Sequence, residues 1–189
     1  MPSGARVIAV EPVDGMRAEL EQAVQGVEVL AGTAEAIPCE DASVDAVTVA
    51  QAFHWFRFAE ALREIRRVLR SGCALALLWN RWDPDHPSYA AVERVLASIR
   101  SPTPYHTGEW AKPLASSPLF GPIEERRFPY EEELELEHAV QREGTTSLVA
   151  SLPEGEREAV LERIREALRG FGEPVGFRCW TEVFVAGAR

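Results

Sequence analysis

RVIAVEPVDGM, Arg6 to Met16, is the stretch from which the fold is read. Arg6 to Val10 reads as a short apolar strand, the pattern of a strand covered on both faces rather than one. Glu11-Pro12 stops it, because proline has no N–H to give to a ladder. Beyond the turn Pro12-Val13-Asp14, apolar residues recur at Met16, Leu20 and Val24, the spacing of an amphipathic helix. A buried strand feeding directly into a helix is the repeating unit of a parallel α/β sheet.

The same unit recurs downstream. VEVLA, Val27 to Ala31, reads as a second strand. GTAEAIPCEDAS then forms a loop punctuated by Gly32 and Pro38, and VDAVTVAQAF from Val44 is a third apolar run. Phe58 to Leu69 puts Leu62, Ile65, Val68 and Leu69 on one stripe, with Arg63, Arg66 and Arg67 opposite. Ser71-Gly72 ends that helix, and CALALLW is a fourth strand. RWDPDHP reads as a loop, Tyr89 to Ile99 as a helix, and SPTPYHTGEWAKPLASSPLFGP as irregular chain. Ile123 to Tyr130 and Phe177 to Val185 read as an antiparallel edge pair, with helices over His138 to Leu152 and Glu154 to Leu168 between them. EEELELE, Glu131 to Glu137, is a solvated edge or helix approach. The expected architecture is α/β: a doubly wound, mostly parallel sheet with helices on both faces and an antiparallel C-terminal edge. One domain spans 1–189, and 81–120 is a lid or substrate-cover insertion.

Composition narrows the partners. With 30 acidic against 20 basic residues and a formal charge of -10, the chain lacks the basic footprint of a nucleic-acid binder. No stretch has the length of a membrane span and no signal segment leads the sequence, so a cytoplasmic protein is expected. Cys39, Cys73 and Cys179 have neither disulfide-framework nor zinc spacing. His54, His86, His106 and His138 show no H-x-x-x-H arrangement, so no metal site is expected, and no G-x-S-x-G turn marks a serine hydrolase.

Ligands of doubly wound sheets bind outside the carboxyl ends of the strands. Glu11 stands at such an end, where a carboxylate accepts from both vicinal hydroxyls of a ribose; an acid guiding the chain into its turn reads equally well. The next strand ends in Gly32-Thr33-Ala34-Glu35, small residues that let a ring approach, with a carboxylate for an exocyclic amine. The third ends in Ala50-Gln51-Ala52-Phe53-His54-Trp55-Phe56. At least two of these aromatic rings are read as core, and His54 reads as a structural imidazole or as a base.

VIAVEPVDGM, AGTAEAIPCEDASVDAVTVAQAFHWF and ALREIRRVLRSGCALALLWN, in this order and spacing, resemble the class I S-adenosylmethionine-dependent methyltransferases, in particular those with an A-Q-A-x-H-W-F segment. The similarity covers residues 6 to 80 and, more loosely, the tail from Phe120. It implies S-adenosylmethionine as cofactor and a small-molecule methyl acceptor. By position, Glu11 holds the ribose, Met16 packs on the adenine, and Ala34 and Glu35 border its edge. Thr33 stands where many relatives carry Asp. Gln51 and Ala52 lie along the methionine part, and His54 and Trp55 stand at the junction with the acceptor. His54 takes a proton from a hydroxyl acceptor, and Trp55 or Phe53 faces the sulfonium. Trp82, Tyr105, His106 and Trp110 would cover the substrate.

The family's first strand and its G-x-G-x-G turn, which would precede Arg6 and hold the carboxypropyl end of the cofactor, have no counterpart in the sequence. That strand is central in the family's sheet. Either its neighbours close up, or a second chain or segment fills the gap, or this is a shortened form of a longer protein. An open central edge also makes a homo-oligomer an expectation. Two further functions stay open: a non-catalytic binding or assembly module with this fold, and a nicotinamide dinucleotide-binding domain, which also places an acid after its second strand.

Overall fold

A computed structural model describes residues 4–100 and 110–189. The opening stretch forms β1 (Val7–Glu11) and α1 (Asp14–Ala23), as its pattern predicts. Then come β2 (Val27–Ala31), β3 (Val44–Ala50), a 3-10 turn (Phe53–Trp55), α2 (Phe58–Val68) and β4 (Leu69–Trp82). The second half contains α3 (Pro87–Leu96), α4 (Ala111–Ala115), β5 (Phe120–Leu134), α5 (Leu136–Gly144), α6 (Ser147–Ala150), α7 (Glu154–Leu168) and β6 (Val175–Ala188). The fold is α/β, with parallel and antiparallel strands and helices between them. Among the described residues, no helix is long and apolar enough to cross a membrane.

The described strands form two sheets. β1 pairs in parallel with β2, Val7 opposite Val27 and Glu11 opposite Ala31. The other sheet runs in the order β3-β4-β6-β5, with β3 parallel to β4. Among the described residues β1 and β3, the strands that would flank the family's first strand, belong to different sheets.

The chain divides into two compact units. The first comprises 4–78, 110–125 and 183–189. Its α2 buries Leu62, Ile65 and Val68 of the predicted stripe, and Ala61 beside them. That helix gives way to β4 without a loop: Leu69, expected inside the helix, already pairs with Val44. Between Leu69 and Ala74 the ladder advances by only two residues on β3, so the intervening residues bulge out, with Gly72 at φ +79° making the turn that a side chain would strain.

Trp110 and Leu114, both buried, anchor α4 in a segment expected to be irregular. Its first part, 101–109, lies outside the described residues.

Arg67, which helical periodicity places on the polar face of α2, is the clamp of this unit. Its guanidinium donates to Glu64 Oε1 and Oε2 (2.9 and 2.7 Å), Asp41 Oδ1 (2.7 Å) and the carbonyls of Cys39 and Ile37 (2.8 and 2.9 Å). Glu64 in turn accepts from the Ile37 N–H at 3.1 Å. The hydrogen bonds from Arg67 hold Glu64 below the ordinary carboxylate range. Five donors in a planar fork make this possible, and a lysine ammonium does not reproduce it. Arg67→Ala is expected to cost about 2 kcal/mol and Arg67→Lys nearly as much, read as a shift in the urea midpoint. Recovery of wild-type stability in the lysine variant would sink the clamp.

The second unit comprises 79–100 and 126–182. Its core gathers Val92, Val95 and Leu96 from α3, Ala139 and Val140 from α5, and Val160, Ile164 and Leu168 from α7 around Trp82, Val175 and Phe177. Trp82 stacks on Phe177 at 4.3 Å and meets Tyr89 edge-on at 5.1 Å, while the Arg142 guanidinium lies 4.7 Å from the Trp82 ring. The helix expected over 138–152 breaks after Gly144. There the Thr145 and Thr146 hydroxyls donate to the carbonyls of Arg142 and Glu143, competing with the helical ladder. Buried Glu182 of β6 is paired by Arg81 of β4 at 2.5 Å and Arg127 of β5 at 3.1 Å, a three-strand charge ladder.

Candidate functional site

Three strand-end segments of the first unit meet through specific contacts. Register puts Glu11 opposite Ala31, so the chain leaves β1 and β2 at the same end. The segment after β2 turns back at once, because Gly32 lies where a Cβ would come within 2.7 Å of Pro38 Cδ and 3.0 Å of Val10 Cγ1. Glycine leaves the Pro38 ring and the Val10 side chain the room that a Cβ would take. A Thr33–Ala36 bridge closes the turn. Glu35 Oε1 then accepts the Arg57 N–H at 2.8 Å, tying this loop to the segment that follows β3.

That bond assigns Glu35 a different task from the expected contact with an adenine amine. Burial pushes the Glu35 carboxyl up. Hydrogen bonds from the backbone N–H groups of Arg57 and of Glu35 itself, the Thr33 hydroxyl and the Arg57 charge outweigh it and leave the pKa lowered. The carboxylate is therefore engaged in fixing its own loop, with Ala34, half-buried, beside it. Sequence reading missed Arg57 because its contribution is a backbone N–H, which has no residue signature.

Glu11 ends β1 half-buried. Its Oε1 accepts the Val13 N–H at 2.9 Å and its carbonyl accepts from Arg17 Nη1 at 2.9 Å, while Arg17 also pairs with Asp14. Among the described residues Oε2 has no donor. One oxygen thus guides the chain into its turn.

After β3, Gln51 adopts φ +56°, the left-handed region, while its N–H continues the ladder to the Leu78 carbonyl at 2.9 Å. For a residue with a side chain this costs on the order of 1–2 kcal/mol, strain of the kind found at ligand sites. Ala52 precedes the 3-10 turn. Phe53, fully buried, meets Phe56 edge-on at 5.7 Å and Phe58 at 5.3 Å. Phe53 is thereby core and not available to face a sulfonium. His54 and Trp55 lie with ring centroids 4.8 Å apart, and Trp55 is 64% exposed. Met16 is 60% exposed and Val13 53%, on a helix that buries none of its residues. Three of the six exposed large apolar side chains among the described residues therefore follow these strand ends in the sequence.

Two of the residues expected to cover a substrate are instead buried in cores. Trp82 is core of the second unit and Trp110 is core of the first, edge-on to Phe184 at 4.9 Å. Both indoles are large enough to anchor a core, and burial won over exposure. Tyr105 and His106 lie outside the described residues.

The methyltransferase-domain family matches residues 1–77, the segment that carries Glu11, Glu35 and the Gln51–Trp55 turn. Over that segment the chain is similar to the methyltransferase-domain family. An uncharacterised methyltransferase-like protein of Schizosaccharomyces pombe is 36% identical over 161 residues, 85% of this chain and 62% of its own length. An uncharacterised methyltransferase of Mycobacterium tuberculosis is 50% identical over 80 residues, 42% of this chain and 33% of that one. The chain thus spans less than two thirds of the curated relatives it matches. In three dimensions it resembles a candidate type II methyltransferase of Anaeromyxobacter dehalogenans with a TM-score of 0.69 and 29% identity, covering 97% of this chain and 80% of the other. A candidate methyltransferase from an antibiotic biosynthesis pathway of Anabaena variabilis, 24% identical with a TM-score of 0.59, shares the fold.

The donor set fits part of the family's cofactor. A strand-end carboxylate with one available oxygen suits a ribose, and exposed Val13, Met16 and Trp55 suit an adenine and an alkyl sulfonium. For the carboxypropyl end the sequence holds no G-x-G-x-G turn.

Proposed function

We propose that this chain takes part in S-adenosylmethionine-dependent methyl transfer to a small-molecule acceptor in the cytoplasm. The observation that carries the reading is the strand-end acid Glu11, whose Oε1 accepts the Val13 N–H while, among the described residues, Oε2 has no donor, in a chain whose residues 1–77 match a methyltransferase-domain family. When bound, the cofactor supplies an electrophilic methyl group. The protein's task is positioning and exclusion of water. Glu11 Oε2 accepts from the ribose hydroxyls, Met16 covers the adenine, and Ala34 lines its edge, with Glu35 holding that loop in place. Gln51 and Ala52 follow the methionine portion, and Trp55 offers its face to the positive sulfur. His54, with its ring against Trp55, accepts the proton of a hydroxyl acceptor.

Isothermal titration with S-adenosylhomocysteine tests this reading. Micromolar binding is expected, weakened roughly thirtyfold by Glu11→Ala, the value of about 2 kcal/mol for hydrogen bonds to a charged group. A folded chain with no affinity would leave the second reading, a non-catalytic binding or assembly module. Preference for a nicotinamide dinucleotide would move the assignment to that cofactor.

A further inference from the structure

We infer that Arg17 is a positioning residue of the ribose site, fixing the peptide from which the Glu11 carboxylate is aimed. The inference rests on the ribose reading of Glu11. Of the ten residues of α1 only Arg17 and Leu20 are half-buried, three apart and so on one face, while the rest are exposed. Arg17 keeps just 19% of its side chain exposed on a helix that buries none of its residues, and polar bonds hold it there. Nη1 donates to the Glu11 carbonyl at 2.9 Å and Nη2 donates to Asp14 Oδ1. Asp14 is 93% exposed, where an ion pair contributes little, so the weight falls on the bond to the carbonyl.

That carbonyl is the only hydrogen-bonding group of its peptide unit. The unit joins Glu11 to Pro12, and proline brings no N–H and a φ fixed by its ring. The orientation of the peptide then depends on rotation about the Cα–C bond of Glu11, which a donor on the carbonyl oxygen sets. Next along the chain is Val13, whose N–H donates to Glu11 Oε1 at 2.9 Å.

These links close a loop. Arg17 fixes the Glu11 carbonyl, the stiff Pro12 places the Val13 N–H, and that N–H holds one carboxylate oxygen, so the direction of Oε2 follows. The Arg17 N–H donates to the Val13 carbonyl at 3.0 Å, which ties the first turn of α1 to the same segment. A carboxylate that meets two vicinal hydroxyls must be held to within roughly half an ångström, and a planar guanidinium fork that reaches two acceptors at once suits that task.

The test is a double-mutant cycle on the whole chain, with S-adenosylhomocysteine and its analogue lacking the ribose 2′-hydroxyl as probes in isothermal titration. Arg17→Met keeps the apolar stem and removes the donors, and far-UV circular dichroism reports that each variant is folded. Arg17→Met is expected to weaken S-adenosylhomocysteine binding roughly tenfold in the wild-type background and less than about twofold in Glu11→Ala, and to narrow the preference for the probe that carries the hydroxyl. Unchanged affinity in Arg17→Met overturns the inference, while a loss in Glu11→Ala alone leaves the ribose reading standing. A loss that persists in Glu11→Ala, or that weakens both probes alike, assigns Arg17 a merely structural role and also overturns it. Wild-type affinity in Glu11→Ala removes the ribose reading, and the inference with it.

Discussion

Phe53→Ala is expected to remove about 3–5 kcal/mol from the stability of the first unit, the range for emptying a fully buried aromatic site. Phe53 has no exposed surface and is held between Phe56 and Phe58, so the surroundings cannot collapse without moving the start of α2. The same substitution reaches the candidate site, because Phe53 is the first residue of the 3-10 turn that carries His54 and Trp55. Urea unfolding followed by Trp fluorescence measures the loss, and S-adenosylhomocysteine titration at low temperature measures the site. Phe53→Leu, which keeps most of the volume, is expected to cost no more than about 1.5 kcal/mol. A loss below about 1 kcal/mol in the alanine variant would remove Phe53 from the core.

Glu143→Gln is expected to stabilise the protein above pH 7 by roughly 3 kcal/mol while leaving it nearly unchanged near pH 4. Glu143 sits in α5 with 6% of its surface exposed and, among the described residues, no salt-bridge partner. Burial raises its pKa from 4.5 to about 7, opposed by Arg142 and Arg100 and reinforced by Glu93. The folded chain therefore holds a proton that the unfolded chain releases between about pH 4.5 and 7. Stability from this group is fully present below pH 4.5 and is lost as pH rises through 7. An amide of the same shape has no proton to lose, so the difference between variant and wild type should grow across that window and then level off. Glu35, Glu64 and Glu137, whose pKa values are lowered, change stability in the opposite direction at lower pH and cancel in this difference. A difference that is flat with pH would show that Glu143 ionises as it would in water.

Much of the first half was legible because its signals are local. The apolar run Val7–Val10, the four-residue spacing from Met16 and the Leu62–Ile65–Val68 stripe each express a period that a single element must satisfy, and all three elements formed where expected. The boundaries were less legible. Leu69 satisfies the helical stripe as well as the strand, and only its pairing with Val44 assigns it to β4. The candidate site was legible as residue types at strand ends, not as bonds. Nothing in the sequence says that Glu35 will be engaged by the N–H of Arg57, or that Arg67 will hold the carbonyls of Ile37 and Cys39, because those partners are backbone groups far along the chain.

By itself the sequence determined the α/β class, the strands and helices up to Trp79, the strand-end position of Glu11 and the absence of a G-x-G-x-G turn from these residues, since each depends on residue identity and short-range spacing. Tertiary structure alone decided which rings are core and which are exposed. Phe53, Trp82 and Trp110 went inside and Trp55 stayed out, a choice set by the volume that neighbouring elements leave to be filled. It also decided that β1–β2 and β3–β4–β6–β5 form two sheets, because strand pairing is a contact between distant segments and a one-dimensional pattern does not encode which edges meet.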